Sequence, residues 1–367
     1  FETIKKEAQL FMDLGGVIRG NSPVGVLWRI DGMNVTNPNH FATVGTTGGA
    51  VSALNTNLLK SSDFFTSAFP AEYGNALSGV FDLGFRSGNT QNRETTIQAG
   101  VITGLEVTTE GPISKKSNAS YLVGYRYALA GIAQAVGVDI GTTATPSYQD
   151  LSFKVNSGNT KWGKFTTFGI LATSSISISG GNAGSLFGGK DGNDLDSKIG
   201  ILGVNHFKQL GTKSYLSSTI GLNYSKTDQT NYDSDRVTST SFARDESNVA
   251  KSSYNIATTF HSKINAKTFV KIGLQNEIIG LNLYYRIKQS IDADWLQIWD
   301  YNSATNLSQG FAHLKYSFND RWSINAGLHA QYFFLNASKA VEPRLGIKYD
   351  LNEKSSFNFG YGLHAQM

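Results

Sequence analysis

The sequence is most informative first in what it lacks. It has no cysteine, which excludes disulfides, thiolate catalysis and cysteine-bound zinc. No window approaches the roughly 18 consecutive apolar residues that a membrane-spanning helix requires. Charge is scarce: Asp, Glu, Lys and Arg make up 16% of the chain, against about 25% in soluble domains. The formal net charge of +4 comes from scattered residues, with no basic run that would track a nucleic acid or anchor the chain to a lipid surface. Six histidines, at 40, 206, 261, 313, 329 and 364, form no pair at a metal-ligand spacing. Asp191, Asn193, Asp194 and Asp196 resemble a calcium loop only in part, because its glycine and closing glutamate are missing. No enzyme chemistry, metal or cofactor is therefore expected.

Glycine (39 residues) and aromatic residues (12%) are abundant instead. From about residue 90 onward the chain alternates apolar and polar residues with period two. In the clearest stretch Trp322, Ile324, Ala326, Leu328, Ala330 and Tyr332 interleave with Ser323, Asn325, Gly327, His329 and Gln331. Leu216, Ile220, Leu222 and Tyr224 form a second such face, and Phe168, Ile170, Ala172, Ile176 and Ile178 a third. Thirteen strands are predicted, near 95–101, 105–111, 118–127, 149–156, 162–178, 198–208, 213–225, 252–263, 268–284, 308–318, 322–334, 342–350 and 354–363.

Alternation also fits a soluble sandwich with one wet face, so the connections decide. Long joins at 128–148, 179–197, 225–251 and 285–307 alternate with short ones at 209–212, 264–267, 319–321 and 351–353. Sorting by parity is the signature of an up-and-down transmembrane barrel, whose tight turns lie on the periplasmic side and whose long loops lie outside. Hydrocarbon offers no hydrogen-bond partner, so every backbone group must pair within a sheet, and the apolar faces are expected to point to lipid. Trp162 and Trp322, each beside a short turn, suit an aromatic girdle. An odd strand count and an end inside a strand pattern predict that the barrel continues beyond residue 367. Residues 1–14 read as an amphipathic helix, and the abrupt junction at Leu14 and Gly15 suggests missing residues there.

Residues 15–89 have another texture, with short strands separated by Asp31-Gly32, Asn37-Pro38 and Gly48-Gly49 turn signals. Ile18, Arg19 and Gly20, then Val26 to Ile30 followed by Asp31 and Gly32, then Phe64, Phe65 and the run Pro70, Ala71, Glu72, Tyr73, Gly74 occur in that order. Together they resemble the plug domain of TonB-dependent outer-membrane receptors. The resemblance implies a small α/β plug domain at 1–89 ahead of an incomplete all-β transmembrane barrel at 90–367. It further implies a cell outer-membrane location, partnership with TonB and its inner-membrane energising complex, and import of an unidentified extracellular ligand by plug displacement. A non-transporting outer-membrane scaffold that engages other outer-membrane proteins is the alternative. Asn37, Asn39, His40 and Phe41 at the plug apex, with Trp295, Trp299 and Tyr301 in an outer loop, are the candidate ligand contacts.

Overall fold

The computed structural model describes residues 21–43, 48–49, 51–60, 62–66, 68–100, 104–114, 116–129, 146–179, 192–235 and 239–367. The expected helix at 1–14 and the motif residues Ile18, Arg19 and Gly20 lie outside them. The described part of the front unit is built of strands and two 3-10 turns, with no α-helix among the described residues. Its main sheet comprises β1 (Val26–Ile30), β2 (Met33–Val35), β5 (Asp63–Phe65) and β6 (Gly79–Leu83), in the order β2-β1-β6-β5. β1 runs antiparallel to β2 and parallel to β6. A two-stranded pair, β3 (Asn39–His40) and β4 (Val51–Ser52), stands beside it.

Thirteen strands then form one antiparallel sheet in which each pairs with its neighbours in sequence. They are β7 (Glu94–Gly100), β8 (Gly104–Ser114), β9 (Ala119–Tyr127), β10 (Ser147–Asn156), β11 (Lys164–Ser179), β12 (Gly192–Gln209) and β13 (Ser214–Ser234). The rest are β14 (Ser241–Lys263), β15 (Thr268–Ile287), β16 (Leu296–Ser317), β17 (Trp322–Phe333), β18 (Ser338–Asn352) and β19 (Ser355–Gly362). β7 and β19 are the free edges, so the wall is an incomplete barrel. All thirteen expected strands are present.

Three long joins are shorter than the alternation suggests, 179–197 among them because β12 begins at Gly192. β13 and β14, of 21 and 23 residues, run on through 225–251 and leave 235–240 as the join. β15 and β16 likewise narrow 285–307 to 288–295. About 9–11 residues suffice to cross the hydrocarbon, so these strands continue as a ribbon beyond it. There no hydrocarbon imposes apolar alternation: Thr227, Asp228, Gln229, Thr230 and Asn231 are polar on both sides. Periodicity could not reveal strands made that way.

The lipid-facing expectation holds for β17, where Leu328 and Tyr332 are exposed while His329 and Gln331 are buried, and for Ile220, Leu222 and Tyr224 of β13. It fails for β11. Phe168, Ile170 and Ala172 are buried in one core with Trp28, Ile30 and Phe81 of the front unit, and Leu171, of opposite parity, is exposed instead. The wall thus supplies six of the seventeen buried residues of this core, with Leu122, Ile199 and Ile201 joining from β9 and β12. Trp28 stacks on Phe81 at 4.3 Å in its centre. Leu27, on the other face of β1, packs toward Phe69, Tyr73 and Val80.

Candidate functional site

The functional geometry lies where the small unit meets the wall, in three places. At the first, β1 turns into β2 through Asp31 and Gly32, whose φ angles of 47° and 87° suit a hairpin turn of the kind Asp-Gly favours. The Asp31 carboxylate receives Lys154 Nζ of β10 at 2.9 and 3.0 Å, and its carbonyl receives Asn205 Nδ2 of β12 at 2.8 Å. Lys154 also donates to the Phe85 carbonyl at 2.8 Å.

The second place is the segment holding Glu72, Tyr73 and Gly74. Glu72 accepts Lys271 Nζ of β15 at 2.8 Å, and Arg29 Nη1 lies 3.9 Å away. Burial pushes the Glu72 carboxyl up, but the two cations outweigh it and hold it below the usual carboxylate range. The Tyr73 phenol donates to Asp82 at 2.6 Å; burial and then the Asp82 charge push its pKa up. Arg344 of β18 donates to the carbonyls of Phe69, Pro70 and Tyr73 at 3.2, 2.6 and 2.5 Å. His329 of β17 meets the Ala71 carbonyl at 2.8 Å. A Cβ on Gly74 would come within 2.0 Å of His329 Nε2, so only glycine allows this approach.

The third place contains Asn37, Asn39, His40 and Phe41. Asn37 donates to the Gly48 carbonyl at 2.9 Å and accepts from Asn39 at 2.6 Å. His40 Nε2 meets Asp150 of β10 at 3.1 Å, and Arg126 of β9 holds the same carboxylate at 2.8 Å and also reaches the Ser52 carbonyl. The His40 ring lies 4.9 Å from that of Tyr148, against which Phe41 packs edge-on. Burial lowers the His40 pKa, and the Asp150 contact only partly offsets it. Asn39 and His40 are 0% exposed and Phe41 is 3% exposed. His40 and Phe41 thus face the wall, whereas Asn39 turns to Asn37 and both asparagines line a cavity of about 310 Å³ with Thr36, Ser197, Ile199 and Lys251.

The aromatic candidates are not brought to this segment by any hydrogen bond or ring contact among the described residues. Trp299 and Tyr301 belong to β16 and not to a loop. Both are exposed, and Trp299 lies 5.4 Å from the Tyr285 ring. Trp295 ends the join and is capped by the Arg286 guanidinium at 4.3 Å. Asn193, Asp194 and Asp196 lie on β12, where alternation sends Asn193 to Asn231 and Asp194 to Ser177 and Tyr232. The wall partners Arg126, Asp150, Lys154, Lys271 and Arg344 were missed from sequence. Their signal is parity: each is a charged residue on the face opposite the lipid-facing one. His206 differs, stacking on the exposed Phe165 ring at 4.6 Å.

A small mixed sheet seated against one consecutive antiparallel wall is found in a particular set of solved proteins. The outer-membrane transporter YddB of Escherichia coli superposes with a TM-score of 0.63 at 13% identity, covering 94% of this chain and 54% of its own. The fold is that of outer-membrane transporters. A mutant of the ferric enterobactin receptor PfeA of Pseudomonas aeruginosa gives 0.61 at 13% identity, over 94% of this chain and 54% of its own. The copper transporter OprC gives 0.64 at 9%, over 92% and 56%. This transporter fold is the one the sequence resemblance implies. The chain spans about half the length of these solved structures. No family model matches the sequence, and no curated protein matches it.

Proposed function

We propose that this chain is the plug and leading half-barrel of a TonB-dependent outer-membrane importer, with residues 1–89 as plug and 90–367 as wall. The observation that carries the reading is the mixed seating of the plug. Apolar packing against β9 to β12 is accompanied by ion pairs and carbonyl contacts to β10, β15, β17 and β18. A passive pore gains nothing from a folded unit fixed in its lumen, whereas an energised importer needs one that is seated at rest and displaced by work.

Extracellular ligand arrives at the long-join end. Asn37 is the candidate contact there, since it lines the outer cavity, with Trp299 and Tyr301 exposed on the sheet extension. His40, through Asp150, and Phe41, against Tyr148, position that loop from below, and Asn39 holds Asn37 directly. Structural neighbours that carry ferric enterobactin or copper in their names share one fold, so the fold supports uptake as the activity and leaves the cargo open. TonB and its inner-membrane complex supply the energy in this reading.

The test is uptake in cells with and without TonB. Ligand bound at the cell surface persists in the deletion strain while uptake stops. Uptake that continues without TonB overturns energised import, and loss of an outer-membrane assembly with uptake intact indicates a scaffold instead.

A further inference from the structure

We propose that the cavity between plug and wall at the short-join end is an anion site, which takes a phosphate or carboxylate group of a small soluble ligand on Arg29, Lys60 and Lys164. The cavity has a volume of about 560 Å³ and is lined by these three residues together with Asp31, Lys154 and Thr219. It lies at the far end of the plug from the Asn37 cavity. The two touch the same strands, at Ile199 and Asn205 of β12, for example, which are six residues or roughly 20 Å apart along a strand.

The local charges do not cancel. Asp31 is taken by Lys154, and the neighbouring Arg86 is taken by Glu110 in a two-point pair at 2.6 and 2.7 Å. Lys60 and Lys164 make no side-chain hydrogen bond or ion pair among the described residues. Lys60 is laid across Gly84, where a Cβ would come within 2.2 Å of its Cε, so the missing side chain there fixes its path. Lys164 has the parity of the inward-facing Phe168 and Ile170.

Arg29 is the decisive group. Its Nε and Nη1 atoms are buried and have no hydrogen-bond partner. The carboxylates beside it are engaged elsewhere: Asp82, its partner across β1 and β6, accepts the Tyr73 phenol at 2.6 Å, and Glu72, at 3.9 Å, is held by Lys271 at 2.8 Å. Guanidinium donors without acceptors are costly, and Arg29 Nη2, 4.0 Å from where a Cβ of the cavity-lining Gly32 would stand, is the end that can meet an oxygen of a carboxylate or phosphate. One such group at this end of the guanidinium, flanked by two free lysines, offsets the excess charge. The site depends only on the plug being seated, so it stands whether or not import is energised.

The full-length protein in detergent is titrated calorimetrically with inorganic phosphate and, separately, with citrate at low salt. Binding of one anion, weakened as KCl is added, is expected, and the tighter of the two probes identifies the acid group. The double variant K60A/K164A should lose affinity by about tenfold or more, and R29Q should abolish binding. Because R29Q acts inside the plug and can unseat it, the lysine variant, whose two side chains hold no structural partner, is the deciding one. Equal binding by the wild type and K60A/K164A overturns the proposal, as does the absence of binding of both probes at about 10 mM.

Discussion

The plug touches two parts of one wall, and the parts hold it by different physics. On the β9 to β12 side Leu122, Phe168, Ile170, Ala172, Ile199 and Ile201 enter the plug's own core, with Arg126, Asp150, Lys154 and Asn205 adding polar contacts around it. Against β15, β17 and β18 the inward residues are Lys271, His329 and Arg344, which meet Glu72 and the carbonyls around Tyr73. The two contacts respond differently to opening. Exposed apolar surface has nothing to replace its lost contacts, at roughly 25 cal/mol per Å², while polar groups exchange a protein partner for water at a small net cost. A plug held this way parts more readily from β15 to β18 than from β9 to β12.

The largest expected effect tests the apolar side. Phe168→Ala should lower the opening free energy of β1 amide protons in native-state hydrogen exchange by about 3–5 kcal/mol, the usual range for deleting a buried phenylalanine. Leu171→Ala, one residue away but facing outward, should change it by no more than about 0.5 kcal/mol, because lipid fills the space as well as leucine does. Equal effects would mean that both faces of β11 are packed alike. Spin labels sharpen the same contrast: even-numbered positions should be lipid-accessible on β17 and shielded on β11.

That contrast also marks where sequence stops being sufficient. Alternation located all thirteen strands, because a strand with unlike faces has period two whichever face is buried. It does not say which face is inside. For β17 the apolar set met lipid as expected; for β11 the apolar set met the plug, since an occupied lumen is no longer a wet one. The motif residues Asp31, Gly32, Glu72, Tyr73 and Gly74 were legible as a pattern, and each turns out to sit at a plug–wall contact. Their partners were not legible, because Lys154 or Lys271 resembles any lysine until the fold brings it across 123 or 199 residues of chain. Asn39, His40 and Phe41 read as an open loop because Asn-Pro signals a turn, and a turn signal carries no information about what lies against it.

A smaller effect tests the polar side. Lys271→Met removes the closest cation from Glu72, and the loss of a charged hydrogen bond should cost about 1.5–3 kcal/mol of local opening free energy. Exchange should accelerate across 69–78 while β1 stays as protected as before. Acceleration at both places would show that the plug opens as one piece and that the two contacts are not separable.

The smallest effect comes from pH and separates the outer loop from the rest of the plug. His40 is buried neutral, with its pKa below the ordinary histidine value of about 6.5. The opened state therefore binds more protons than the seated one in the window below that value, and seating weakens as pH falls through it. The groups facing the ring are Asp150 and Tyr148 on β10 and Arg126 on β9; Asp150 moderates the shift without reversing it. Glu72 behaves differently. Its folded pKa lies below the ordinary carboxylate value of about 4.3, so its contribution is complete above that value and is lost only under more acidic conditions. Between pH 7.5 and 5.5 the protection factors of 39–41 should therefore fall, with no contribution from Glu72. His40→Asn, which cannot take up a proton, should remove the pH dependence of that segment. A fall of the same size in that variant would place the titrating group elsewhere.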